Sequence, residues 1–192
     1  MAIDRTNPRN PSYEVDAIFI DRWSPRSFIN GTLTDAEVDA LFEAARWAPS
    51  CMNEQPWRFW VARTEDARQR VIMTLTERNQ VWAKNASVLL YIGARKHFGS
   101  SKSVNRHAFF DAGAAWMSLA LQARRLGLYA HGMAGFNGEK AFKLTGANFD
   151  DTDIIAAIAV GRRGEAEALP EEIRKRESPT MRNGREEWVI EL

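Results

Sequence analysis

Ala48-Pro49-Ser50-Cys51-Met52-Asn53-Glu54-Gln55-Pro56-Trp57 is the richest stretch of this 192-residue chain. It follows the end of a helix and is bracketed by two prolines, which mark it as a loop. Between the prolines stand Ser50, Asn53 and Gln55. Carboxamides donate and accept hydrogen bonds at once, which suits the edge of an isoalloxazine or another heterocycle. The same residues could equally satisfy the backbone of an ordinary loop. Trp57 is more often a core residue than a platform for a ring. Nothing near Cys51 marks it as an activated thiol.

Upstream of this loop, Thr34-Asp35-Ala36-Glu37 has capping-box spacing. Val38, Leu41, Phe42 and Ala45 then form one apolar helical face that Pro49 closes. Earlier still is Arg22-Trp23-Ser24-Pro25-Arg26-Ser27-Phe28, after a short helix from about Tyr13 to Asp21. Alternate residues of an extended segment project to one side, so Arg22, Ser24 and Arg26 converge there. Two guanidinium forks and a hydroxyl are what a phosphate monoester needs. On these residues alone a solvated basic turn is the better-supported reading. Residues 1–12 read as a flexible arm.

Downstream, Trp57 to Arg63 alternates as a strand, and Glu65 to Arg78 reads as one charged surface helix with Val71 and Leu75 inward. Ser87 to Gly93 is a buried strand. Arg106 to Leu126 is the longest helix, with Phe109, Ala112, Gly113, Trp116, Leu119, Ala120 and Ala123 on one broad face and Gly127 at C′. Leu128 to Met133 is a strand that opens into the turn Ala134-Gly135-Phe136-Asn137-Gly138. Glycines there let a planar ligand approach the backbone, although an ordinary strand-to-helix turn has the same composition. Glu139 to Leu144 is a short helix and Asp153 to Val160 a second buried strand. The chain turns polar from Arg162 to Arg185, a connection or tail and not core. It ends on apolar Trp188-Val189-Ile190. Four or five strands among helices give an α+β or α/β sandwich around one sheet, in one domain.

Charged residues make up 27% of the chain and nearly cancel, at a formal net charge of +1. That balance offers no electrostatic reason for a nucleic-acid or membrane partner. The N-terminus lacks an apolar signal-peptide region, no apolar run is long enough to span a bilayer, and one cysteine forms no intrachain disulfide. A cytoplasmic protein is expected. His97, His107 and His131 have no metal-ligand spacing, and each reads as a surface or partly buried residue. Dinucleotide, phosphate-loop, zinc-protease and serine-nucleophile motifs are absent. Any chemistry here is therefore expected to be carried by a cofactor.

Taken in order along the chain, these segments resemble the nitroreductase family of flavoproteins, from about Ile18 to Glu187. The resemblance rests on Arg22 to Phe28, on Ala48 to Trp57, on Asp111-Ala112-Gly113 and Leu126-Gly127-Leu128 at the ends of the long helix, on Met133-Ala134-Gly135-Phe136, and on Val160-Gly161. It implies a three-layer sandwich of the α+β class, with a central, mostly antiparallel sheet flanked by helices. It also implies flavin mononucleotide (FMN) at the interface of a homodimer and NAD(P)H as reductant. In two half-reactions at one flavin face, hydride passes to a small electron-poor acceptor such as a nitroaromatic or quinone; the alternatives are a specialised flavin enzyme of the same fold, of dehalogenase or flavin-destructase type, and a non-catalytic FMN-binding protein. No protein acid or base is required.

The resemblance assigns Arg22, Ser24 and Arg26 to the phosphate and ribityl chain, with Trp23 contributing backbone. Pro49, Ser50, Asn53 and Gln55 would line the ring from the partner subunit. Asn79 would bond the ring edge, and Ala134, with Gly135 beside it, would offer its N–H to flavin N5. Arg182 would complete the phosphate site, with Arg162 and Arg163 as rivals. Thr180 stands where some relatives carry Lys. Residues 162–192 would form an extended tail on the partner, and Arg95 to Asn105 either a substrate lid or a mobile loop.

Overall fold

Four antiparallel strands form one sheet in the order β1-β2-β4-β3. They are β1 (Trp57–Ala62), β2 (Val88–Arg95), β3 (Tyr129–Met133) and β4 (Thr152–Gly161). The computed structural model describes residues 7–192, so the first half of the expected N-terminal arm, residues 1–6, lies outside the description.

The central strands explain the layers. Along β2, Val88, Leu90, Ile92 and Ala94 enter one core, while Leu89 and Tyr91 enter another. Likewise Ile158 and Val160 of β4 face the first core, and Ala157 and Ala159 the second. A strand covered on both faces needs an unbroken apolar run, which is how these two read in the sequence. The first face is covered by α2 (Asp35–Arg46) and α5 (Ala108–Arg125). The second is covered by α3 (Glu65–Ile72), α4 (Glu77–Ala83) and α6 (Gly138–Thr145). The three-layer α+β sandwich is therefore present, with every strand pair antiparallel. The short α1 (Ala17–Asp21) packs near α5.

Local signals hold at several ends. Thr34 and Glu37 form the reciprocal capping box at the start of α2. Gly127, at φ 74°, takes the left-handed conformation after α5 that a side chain would resist. The expected helix from Glu65 to Arg78, however, is two helices. Thr74 interrupts it: its hydroxyl donates to the Val71 carbonyl at 2.6 Å and pairs with the Tyr91 hydroxyl. Leu75 then bridges to Phe136. Such a side-chain bond competes with the helical ladder. Val71 and Leu75 are buried as expected.

The buried face of α5 is rotated from the expected one. Ala108, Asp111 and Ala115 point inward with Ala112, Leu119, Ala120 and Ala123, while Phe109 and Gly113 are exposed and Trp116 is half-buried. Alanines let the helix approach the sheet closely, and Asp111 is turned in by a bond to the Cys51 N–H. The segment after β4 is also not merely a polar connection. Gly164 N–H donates to the Ser27 carbonyl at 2.6 Å, and α7 (Glu171–Arg174) helps bury Leu169 and Ile173 in the second core.

Candidate functional site

From Asp21 to Ser27 the chain alternates buried and half-buried residues. Trp23, Pro25 and Ser27 turn inward, so Arg22, Ser24 and Arg26 share the other side. With Trp23 they line a cavity of about 420 Å³ beside β3. The opposite wall is Lys175, Arg176, Ser178, Thr180 and Arg182, and Arg9 and His131 complete it. Among the described residues no carboxylate lines this cavity.

Its cations are crowded. The Arg22 guanidinium is held below its ordinary pKa by burial and then by the charge of Arg182. Burial, Arg182 and Arg22 act the same way on Arg9. Arg26 is lowered by burial and by Arg176 and Arg78, against an opposing contribution from Glu177. Guanidiniums crowded against one another with no carboxylate lining the cavity suit a bound anion. Several guanidiniums and the three hydroxyls of Ser24, Ser178 and Thr180 supply the donors a phosphate takes. Neither rival arginine lines this cavity: Arg162 pairs with Glu37 at 2.6 Å, and Arg163 lies over the Trp23 ring at 5.1 Å.

At the end of β3, three residues beyond His131, stands the Ala134-Gly135 turn. Asn79 Nδ2 and the Thr76 N–H both donate to the Gly135 carbonyl at 3.0 Å. A Cβ on Gly135 would sit 2.7 Å from Asn79 Nδ2, so a larger residue would push the Asn79 side chain off its bond to this turn. Asn79 and the turn are thus brought together. They lie along the same sheet edge as the cationic cavity, about 10 Å from His131 at the rise of a strand.

The Pro49–Gln55 loop is elsewhere. It leads into β1, the opposite edge of the sheet. Met52, Asn53 and Gln55 have φ of 53°, 56° and 50°, a region costly for residues with a Cβ. Their geometry is held both within the loop and from outside it. Ser50 Oγ accepts the Gln55 N–H at 3.0 Å, Asp111 accepts the Cys51 N–H at 3.1 Å, and Glu54 binds Arg95 and the Gly99 N–H, each at 2.8 Å. Pro49, Asn53 and Gln55 remain exposed. Within one chain, then, the loop and the cavity do not form a common pocket.

Residues 20–78 match the sequence model of the Nitroreductase family. A solved structure described as an oxidoreductase containing FMN is 39% identical, with a TM-score of 0.91 over 96% of this chain and 95% of that one. The chain belongs to the nitroreductase family. A nitroreductase-type structure from Exiguobacterium sibiricum, in complex with FMN, shares the fold at 19% identity and a TM-score of 0.77, covering 95% of this chain and 99% of that chain. A Streptomyces coelicolor protein with the provisional name NADH dehydrogenase/NAD(P)H nitroreductase is 28% identical over 71% of this chain and 77% of its own length.

In this nitroreductase-family chain, sequence reasoning missed Arg9, Lys175, Arg176, Ser178 and Glu177 around the cavity. Basic residues in a polar tail carry no periodicity that separates a site from solvent. Glu177 is buried, which its neighbours in sequence give no sign of. Among the described residues no group of three or more His, Cys, Asp or Glu is placed to hold a metal, and no helix is long and apolar enough to cross a membrane.

Proposed function

We propose that this chain is an FMN-dependent, NAD(P)H-linked oxidoreductase that works in the cytoplasm as a homodimer. The observation that carries this reading is the carboxylate-free cluster of guanidiniums on the β3 edge, with the constrained amide loop on the edge opposite. The relatives support it through what their names state: FMN in two of the structures, and NADH or NAD(P)H in the Streptomyces protein.

Arg22, Ser24, Arg26 and Arg182 would hold the phosphate and ribityl end, with the Trp23 backbone behind them. The Ala134 N–H, set by the bonds of Asn79 and Thr76 to Gly135, would face the ring. Pro49, Ser50, Asn53 and Gln55 would reach the ring of the partner's site, because in their own chain they stand on the wrong edge. Bound FMN would supply the redox chemistry, hydride transfer from NAD(P)H to an electron-poor acceptor such as a nitroaromatic or quinone. The protein's part is to orient the ring, neutralise the phosphate and donate hydrogen bonds where negative charge gathers.

The test is flavin retention. The purified protein should be yellow and should oxidise NAD(P)H only when a nitroaromatic or quinone is added. Arg22→Ala should lose at least about tenfold in FMN affinity, as expected for one charge-assisted hydrogen bond, with an unchanged far-UV circular dichroism spectrum. Undiminished FMN retention in that variant would overturn the phosphate assignment.

A further inference from the structure

We infer that Glu177 is a positioning residue that fastens the two walls of the cationic cavity together and so sets the protein's affinity for the phosphate of FMN. The inference rests on the reading of that cavity as the flavin phosphate site.

One wall, Arg22 to Arg26, comes from near the start of the chain. The other, Lys175 to Arg182, comes from near its end. Glu177 lies within the second wall, yet its carboxylate is spent on the first. Oε1 accepts the Arg26 N–H at 2.8 Å, the Ser27 N–H at 2.8 Å and the Ser27 hydroxyl at 2.7 Å. Oε2 accepts the Arg26 N–H at 3.0 Å. The residue is only 7% exposed overall. A carboxylate this buried is tolerated when its oxygens are saturated with donors, and here main chain supplies most of them. The bonds to backbone fix where the Arg26 Cα sits and which way the Ser24–Arg26 side chains face. Arg9 makes a second, more exposed tie, donating to the Thr180 carbonyl at 2.8 Å and the Arg22 carbonyl at 2.7 Å. The direct link from Arg26 Nη1 to the Arg176 carbonyl is long, at 3.4 Å.

Charge alone argues against a carboxylate here. A negative group beside a phosphate pocket repels the ligand, so if Glu177 acted only through its charge, removing that charge would tighten FMN binding. Positioning predicts the opposite sign. In Glu177→Gln the shape is kept, but the amide nitrogen turns a donor toward the Arg26 N–H and one acceptor is lost.

Apoprotein of the wild type, Glu177→Gln and the milder Ser27→Ala would be titrated with FMN and with riboflavin, which has the ring and ribityl chain but no phosphate, and followed by flavin fluorescence. We expect Glu177→Gln to weaken FMN at least tenfold and Ser27→Ala severalfold, with riboflavin affinity changed less than twofold in both. FMN affinity that is unchanged or tighter in Glu177→Gln overturns the inference. Equal weakening of FMN and riboflavin overturns it too, since Glu177 would then support the fold generally. A wild type that binds FMN beside an indifferent Glu177→Gln sinks this inference alone. A wild type that takes up neither flavin sinks the flavin reading as well.

Discussion

His131 shows how far surroundings can move a single residue. It is 9% exposed, its ring centroid lies 4.6 Å from that of Trp82, and its Nδ1 is 2.8 Å from the Pro25 carbonyl, between two cavity-lining residues. A neutral imidazole donates there through Nδ1–H. Burial pushes its pKa down to about 4, with Arg26 adding to the fall and the Pro25 and Ser24 carbonyls and Glu177 opposing it. The unfolded chain gains a proton at His131 near pH 6.5, while the native state resists until about pH 4. Stability is therefore whole above the unfolded value and lost as pH falls through that window. Between neutral pH and pH 4.5 this one group should cost roughly 2–3 kcal/mol. A His131→Asn variant should lose that much less than the wild type over the same range in urea unfolding. An identical pH dependence in the two proteins would refute the burial argument. None of this was legible in the sequence, where His131 reads as one more scattered histidine. Arg22, Ser24 and Arg26 were legible as a set because period-two spacing survives wherever an extended segment is laid down.

Among the elements, β2 is the most tightly specified. Its register with β4 shifts between Ile92 and Gly93, and a Cβ at Gly93 would meet the Asp153 carbonyl oxygen and, at 2.9 Å, the Trp60 ring. The clash on one side is backbone, which cannot swing away. Gly93→Ala should therefore lose at least about 2 kcal/mol, the upper half of the usual cost of overpacking, read as a lower denaturant midpoint with the slope unchanged. A loss below 0.5 kcal/mol would show that the sheet yields there. The strands were legible as buried apolar runs and α2 by its cap. The break between α3 and α4 was not, because it depends on Thr74 meeting Tyr91, a contact between elements. The rotation of α5 has the same origin. Phe109 and Gly113 fit an apolar stripe by spacing, but alanines at 108 and 115 fit the narrow gap above the sheet.

At the scale of the molecule, large apolar side chains stand exposed in several segments of one chain. Phe110 is 79% exposed on α5, Met52 is 85% exposed in the Pro49–Gln55 loop, and Trp188 and Ile190 are 68% and 85% exposed at the C-terminal end. Surface of this kind is expected where another subunit packs. Under the homodimer reading, Phe110→Glu should shift the protein from dimer to monomer in sedimentation velocity and lower FMN affinity in the same step, since the ring-lining loop would be lost. A monomeric wild type, or a monomeric variant that keeps its flavin, would refute the shared site. By itself the sequence determined a layered sandwich of helices on one sheet, the two buried strands, the helix caps and the convergence of Arg22, Ser24 and Arg26 on one side of an extended segment, while the assignment of that segment to a phosphate came only from the resemblance. Each of these follows from short-range periodicity or from capping and turn chemistry that neighbours in sequence control. Only the tertiary structure decided that Lys175, Arg176 and Ser178 join Arg182 in the facing wall, that Glu177 bonds across to Arg26 and Ser27, and that the amide loop and the cavity of one chain lie on opposite edges of the sheet. Those facts are contacts across some 150 residues of chain, set by strand order and by which side of the sheet each segment crosses, and no local pattern encodes them.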